Sequence, residues 1–301
     1  MKRMFVLTIG LTLYAAAASA QDVTPFEVTM DRVKVASGGN FGKSNTYIVP
    51  TVNLYISMHG SVWARKGGAS SHGVYSVEGL EKSHLQELST KVQDDLVSKL
   101  RAAGYTVMTY ADVKDHESVA GRGRLKADKD WGLPTRKGAL RTVDFLHVSP
   151  SDEQAFDDPI QGPTWSFRGL AKGKDAVVIV PEIWYTVPQM FGETSASYSS
   201  NKAGVSLNPN MHLFLASITG INAKQGQALI QVQEHGARPA AENTGTITQD
   251  SKDRTTFNSA WKHSKGDYTM KLDVPVFDAG VLRVGYAINT MIVDEVKKAH
   301  K

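Results

Sequence analysis

Apolar residues fall on every second position in the first long pattern of the chain, between Thr46 and Ala64. They are Ile48, Val52, Leu54, Ile56, Met58 and Val62. A two-residue period predicts one long strand with one buried face. Pro50 and Gly60 mark an edge or a bend within this strand.

From Leu80 the period changes to steps of three and four residues. The apolar members are Leu85, Leu88, Val92, Leu96, Leu100 and Ala103. This spacing predicts an amphipathic helix that packs on one side. Ser83 and Gln86 fit a capping box in its first turn, and Gly104 fits a left-handed C-cap. Residues 105–110 follow as a short strand, so strand, helix and strand make an α/β unit.

The rest of the chain alternates further strands with shorter helices. Strands are predicted at 144–148, 175–187, 211–219 and 227–233, the last two as an antiparallel pair. Helices are predicted at 111–120, at 165–170 and, capped by Asp278, at the C-terminus. These elements predict the α/β class: a mixed sheet with a long amphipathic helix and a C-terminal helix packed on it.

Three polar stretches separate these elements, at 111–141, 191–210 and 234–270. The second is predicted as an exposed loop or the tip of a hairpin, and the third as a long surface excursion. Residues 21–301 are therefore predicted to form a single α/β domain with long polar loops.

The N-terminus has the three parts of a secretory signal peptide. Lys2 and Arg3 precede a short apolar run at 5–14, and residues 18–20 (ASA) form a cleavage site before Gln21. An N-terminal membrane helix is the alternative, but this run is well short of the roughly 20 apolar residues that span a bilayer. We expect residues 1–20 to be removed and the protein to be periplasmic or secreted.

The chain contains no cysteine. Disulfides, a thiolate nucleophile, a cysteine metal site and a lipidated cysteine are therefore excluded. The formal net charge of +4, less the two charges of Lys2 and Arg3, leaves +2. This balance gives no reason to expect a nucleic-acid partner. No later stretch offers the 18 consecutive apolar residues typical of a transmembrane helix.

Residues 37–44 (SGGNFGKS) end like a phosphate-binding loop. Ser37 replaces the first glycine of that motif, and a strand rather than a helix follows Ser44, so we predict a glycine-rich turn. Two Ser-x-x-Lys pairs begin at Ser199 and Ser259, a spacing found in penicillin-recognising serine enzymes. The chain lacks the other motifs of those enzymes, so we interpret both pairs as chance spacings in serine-rich loops.

The nine histidines show none of the paired spacings that bind zinc. The cluster Asp115-His116-Glu117 is predicted as a solvated turn, with a metal or acid–base site as the alternative. No metal and no cofactor is predicted.

The stretch 121–141 is the most basic of the chain. Its candidate residues for binding an anion or a partner are Arg122, Arg124, Arg136, Lys137 and Arg141. A merely solvated loop is the alternative, because Asp128 and Asp130 dilute the charge. Four aromatic residues on strands could line a partner interface or pack internally: Tyr55, Trp63, Trp184 and Tyr185.

Several segments together resemble the curli-secretion-channel superfamily of bacterial envelope proteins. They are a helix running into 96–107 (LVSKLRAAGYTV), a central strand at 175–180 (DAVVIV), and paired strands around 217–220 (SITG) and 226–230 (GQALI), before a C-terminal helix. The superfamily includes lipoprotein activators of penicillin-binding proteins and the N-terminal domain of the Tol–Pal translocation protein. Its usual lipid attachment is excluded here, because the chain has no cysteine.

The resemblance implies assembly and partner binding rather than catalysis, and it implies no catalytic residues. The expected function is that of a non-enzymatic exported envelope protein that binds a partner protein or an anionic envelope component. Peripheral membrane contact and oligomer formation stay open. The alternative is an exported hydrolase whose site is assembled from separate loops.

Overall fold

One large mixed sheet organises the chain, and a second, two-stranded sheet accompanies it. The computed structural model describes residues 32–79, 81–137, 142–157, 167–197, 200–224, 226–233, 239–258 and 261–301. Within these ranges the predicted α/β class is confirmed, with α1 and α5, defined below, packed on the sheet. The predicted signal peptide lies outside the described residues.

The strands are β1 (Val33–Ala36), β2 (Thr46–Val49), β3 (Asn53–Lys66), β4 (Ala69–Glu78), β5 (Thr106–Thr109), β6 (Thr135–Lys137), β7 (Val143–Val148), β8 (Val177–Thr186), β9 (Gln189–Ser197), β10 (Ser200–Asn208), β11 (His212–Ile221), β12 (Gln227–Val232), β13 (Gly245–Asn258) and β14 (Trp261–Leu272). The α-helices are α1 (Lys82–Ala102), α2 (Tyr110–Val113), α3 (Glu117–Ala120), α4 (Arg168–Lys174) and α5 (Val274–Ala299). Short 3₁₀ helices lie at Gly38–Lys43 and Asp152–Gln154.

The large sheet has the order β1-β12-β11-β8-β3-β4-β14-β13. β2 joins it beside β8 and also pairs with β5, while β7 pairs with β3 and β6 pairs with β7. Four pairs are parallel (β2–β5, β2–β8, β3–β8 and β4–β14), and the other pairs of the sheet are antiparallel. The predicted antiparallel pairing of β11 with β12 is confirmed.

Helices α1 and α5 cover one face of the sheet. The predicted stripe of α1 is buried there, with Val92 and Leu96 fully inaccessible. Gly285 of α5 lies so close to α1 that an added Cβ would stand 2.7 Å from the Val92 side chain. The α5 helix is long and apolar enough to cross a membrane by length and composition, but 56% of its most apolar stretch is buried inside the protein.

The predicted N-terminal caps of both long helices are wrong. Helix α1 begins after Glu81 without a side-chain cap, and Gln86 instead donates to the carboxylate of Asp152 (2.9 Å). Helix α5 begins at Val274, where Asp273 rather than Asp278 accepts a hydrogen bond from the Val276 amide. Asp278 is hydrogen-bonded to His84 of α1 (2.8 Å), so Gln86 and Asp278 both contact other elements instead of capping their own helices.

A second, smaller core covers the other face where β2 and β8 meet. Ile48, Val178 and Val180 of these strands pack against aromatic and aliphatic side chains of the α2–α4 region. Phe156 and Phe167 are the aromatic members of this core, and both are buried.

The long first strand predicted for 46–64 is broken. Strand β2 ends at Val49, β3 begins at Asn53, and residues 53–58 are buried on both faces rather than on one. In this part β3 pairs with β7 along one edge and with β8 along the other. Leu54 and Ile56 face the main core, while Tyr55 on the other face stacks on Trp184, so both faces are buried.

Two of the predicted polar loops contain strands. The stretch 191–210 belongs to the β9–β10 hairpin, and 234–270 includes most of the β13–β14 hairpin. Backbone pairing and close glycine contacts hold these polar strands, because β14 pairs with β4 and Gly192 packs on the backbone of Trp63. The prediction of a long polar loop is therefore wrong for 234–270, whereas for 191–210 the hairpin alternative is confirmed.

Candidate functional site

The residues 121–137, here called the basic segment, run from the end of α3 to β6. They include six cationic and two acidic side chains. The backbone of the segment is fixed to the body of the protein: the Leu125 amide donates to the Ala155 carbonyl (2.8 Å), and Arg124 forms a β-bridge with Phe156. The segment is thus an ordered surface feature.

Arg122 is built into the second core. Its guanidinium carbon lies 4.7 Å from the centroid of the Phe167 ring and 5.5 Å from that of Phe156. One guanidinium nitrogen also donates to the Asp157 carbonyl (3.3 Å). These are cation–π contacts at a partly desolvated site, where such contacts are strongest.

Arg124 covers the neighbouring part of the same aromatic pair. Its guanidinium carbon lies 4.5 Å from the Phe156 ring centroid, and it donates to the carbonyls of Arg122 (2.7 Å) and Glu153. The structure therefore brings Arg122 and Arg124 together, but most of their contacts are internal.

An open groove of about 730 Å³ lies beside these two arginines. Its charged lining residues are Lys114, Asp115, Arg122, Arg124, Asp152 and Glu153. Three cations face three acids, so the lining carries no net formal charge. Asp152 is paired with Lys82 (2.5 Å), and Glu153 accepts a hydrogen bond from Tyr110 (3.2 Å). The groove alone is not an anion site.

Arg136 lies apart from this groove, on β6. It donates to the Tyr55 hydroxyl (3.1 Å), and its guanidinium stands 5.6 Å and 5.5 Å from the ring centroids of Tyr55 and Trp184. Those two rings are stacked at 3.8 Å, and the Glu182 carboxylate is 3.9 Å from Arg136. The Arg136 side chain is nevertheless 57% exposed.

A buried polar network supports this arginine from below. The Tyr55 hydroxyl donates to Glu182 (3.0 Å), and burial raises its pKa well above the ordinary value. Burial lowers the pKa of His147 to about 3, and the nearby charge of Arg136 is the second, smaller cause of this shift. His147 is therefore neutral at pH 7, 4.8 Å from the Tyr55 ring and hydrogen-bonded to Ser149 (3.2 Å).

The lysines of the basic segment differ from its arginines. Lys126, Lys129 and Lys137 are exposed, and none has an ion pair or hydrogen bond in the part of the chain that the structure describes. Lys137 was among the predicted site residues, whereas Arg141 lies outside the described residues. Sequence spacing cannot tell an arginine that stacks on Phe156 from a lysine that faces solvent, since both sit in one polar stretch.

The remaining sequence motifs take structural roles. The Gly-Lys-Ser stretch forms the 3₁₀ helix Gly38–Lys43, with Gly42 against the carbonyl of Ala299, and a strand follows as predicted. His116 caps α3 by accepting from the Ser118 amide (3.2 Å). Within the described ranges, no three His, Asp or Glu side chains are grouped to hold a metal ion. Ser199 and Ser259 lie outside those ranges.

The four aromatic residues on strands that the sequence singled out differ in their exposure to solvent. Tyr55 and Tyr185 are buried, and Trp184 is half-buried under Arg136. Trp63 is 58% exposed, so it is the member of this set that remains available to a partner.

Comparison of the chain with known protein families, with curated proteins and with solved structures gives no match. The resemblance to the curli-secretion-channel superfamily stays a prediction carried by the pattern of elements. The function has to be argued from the surface of the protein itself.

Proposed function

We propose that the protein is an exported, non-catalytic envelope protein that binds an anionic envelope component, or a partner protein with an acidic surface, through the lysines of the basic segment. The observation that carries the proposal is that the arginines and the lysines of the segment have different surroundings. Arg122, Arg124 and Arg136 hold it on aromatic rings of the body, while Lys126, Lys129 and Lys137 remain exposed.

This arrangement favours binding for two physical reasons. A segment that is already ordered loses little conformational entropy when a partner arrives. Exposed cations also attract an anionic surface over a Debye length, about 8 Å at physiological salt. The interaction should therefore be salt-sensitive and short-ranged.

The binding is tested by retention of the mature protein on purified envelope fractions at physiological salt. The variant Lys126→Gln/Lys129→Gln/Lys137→Gln should be retained much less than the unaltered protein, with an unchanged circular dichroism spectrum. A control, Lys34→Gln/Lys43→Gln/Lys224→Gln, removes the same charge from exposed positions on β1, the first 3₁₀ helix and the β11–β12 connection. It should be retained normally. Equal retention of both variants would contradict the proposal.

The two remaining elements of the proposal have their own tests. Export predicts that protein recovered from the periplasm or the medium begins at Gln21, and an intact Met1 would contradict it.

The hydrolase alternative predicts an activity that survives the triple lysine substitution and disappears when a histidine or carboxylate is replaced.

A further inference from the structure

A second open surface lies on the face of the β3–β4–β14 strands that carries Trp63. The strand register sets its side chains in rows across the sheet. Trp63 of β3 is opposite His72 of β4, which is opposite Lys265 of β14. In the adjacent row, Arg65, Ser70 and His263 are aligned in the same way.

The Trp63 ring is held in place and yet open. It stacks on His72 at 4.1 Å between centroids and 11° between planes, and it is 58% exposed. β3 pairs with β7 as far as Gly60, followed by one hydrogen bond from the Ser61 amide to the Thr142 carbonyl (2.7 Å). Among the described residues no strand continues along that edge beside Trp63, which leaves the ring face turned away from His72 for a ligand. Burial lowers the pKa of His72, and the charge of Lys265 is the second cause of this shift. The imidazole of His72 is therefore neutral at pH 7.

The opposite face of the same strands is already covered. Gly192 of β9 packs on Ala64 and the Trp63 carbonyl, and Gly73 of β4 packs against Val205 of β10. Alternation along a strand then directs Trp63 and Arg65 to the uncovered side.

The polar groups around Trp63 give this surface a definite chemistry. Arg65 is exposed and has no acidic partner among the described residues. Lys265 lies 3.7 Å from Asp267, so its charge is partly balanced. Beside Arg65, the half-buried His263 is hydrogen-bonded to the buried Ser70, so the imidazole is held in place at this surface.

We infer that this face binds an acidic glycan, with a sugar ring on the open face of Trp63 and its carboxylate on Arg65. The flat C–H face of a pyranose suits an exposed indole, and a guanidinium pairs with a carboxylate through two parallel hydrogen bonds. Residues two apart on a strand are separated by about 6.7 Å. That is close to the reach of one sugar ring with its carboxylate.

The surroundings of Trp63 favour a glycan over a lipid surface. A tryptophan that inserts into a bilayer is typically part of a contiguous exposed apolar patch. The exposed large hydrophobic side chains of the described residues are Val35, Trp63, Phe191 and Tyr286. Trp63 alone belongs to this face, because Phe191 is on the covering hairpin, Val35 on β1 and Tyr286 on α5.

Isothermal titration of the mature protein with an oligogalacturonate tests the inference. Trp63→Ala should weaken binding about tenfold or more, as expected for loss of an aromatic anchor. Arg65→Gln should weaken it and abolish the preference over a neutral oligosaccharide. Phe191→Ala, which removes a 47% exposed aromatic from the other layer, and Lys66→Gln, on the opposite face of β3, are matched controls that should bind normally.

Three results would overturn the inference. They are no binding of the oligogalacturonate, equal binding by Trp63→Ala with unchanged melting, and Trp63-dependent binding to anionic vesicles without glycan binding. The last result would assign the face to lipid. The inference concerns a surface separate from the basic segment, so the triple lysine variant should bind the oligogalacturonate normally even where it fails on envelope fractions.

Discussion

The guanidinium carbon of Arg122 lies 4.7 Å from the centroid of the buried Phe167 ring. A cation from the most basic stretch of the sequence is thus part of a core. This contact separates the residues that fix the basic segment from those that face a partner.

Arg122→Ala should lower the free energy of unfolding by about 1–3 kcal/mol, because it removes a partly desolvated cation–π contact and the packing of a long side chain. Arg122→Lys should recover only part of this, since an ammonium lacks the planar guanidinium. Urea unfolding measures both variants, and the exposed Lys126→Ala serves as control. An unchanged midpoint for Arg122→Ala would show that the contact adds nothing.

Gly42 and Gly39 form a matched pair in the Gly-Lys-Ser stretch. A Cβ on Gly42 would stand 2.0 Å from the Ala299 carbonyl oxygen, whereas a Cβ on Gly39 would meet nothing within 4 Å. Gly42→Ala should therefore destabilise the protein by about 1–3 kcal/mol, as overpacking does. Gly39→Ala should leave stability unchanged or slightly higher. Thermal unfolding distinguishes the two, and similar melting temperatures would refute this packing of the stretch against α5.

The depressed pKa of His147 predicts a pH dependence of stability. Its folded pKa of about 3 lies below the ordinary 6.5, so between these values the unfolded chain binds a proton that the folded protein does not. Stability is then fully present above pH 6.5 and falls as the pH drops, by up to about 1.4 kcal/mol per pH unit from this residue.

Urea unfolding at several pH values measures this slope. His147→Gln should flatten it between pH 6.5 and 5, where few carboxylates titrate. The expectation fails if His147→Gln and the unaltered protein lose stability in parallel.

The sequence pattern predicts the elements whose side chains carry the signal. The α1 stripe through Leu88, Val92 and Leu96 and the apolar run of β8 are buried as expected. The polar hairpins could not be predicted in this way, because β14 is held by backbone pairing with β4 and β9 by the close approach of Gly192. Neither leaves an apolar period in the sequence.

The candidate site was predictable in part for the same reason. The basic composition of 121–141 is visible in the sequence, and with it the candidates Arg122, Arg124, Arg136 and Lys137. Which of them stack on rings is decided by Phe156, Phe167 and Trp184, residues distant in the chain. The stack of Trp63 on His72 likewise depends on the register of β3 with β4.

The salt dependence of binding to purified envelope fractions tests the central claim most directly. The unaltered protein should bind more weakly as sodium chloride is raised, because salt shortens the range of the lysine charges. The variant Lys126→Gln/Lys129→Gln/Lys137→Gln should bind weakly at low salt and change little with further salt. If both proteins instead lose affinity along the same curve, the exposed lysines of the basic segment do not contact the envelope and the account is wrong.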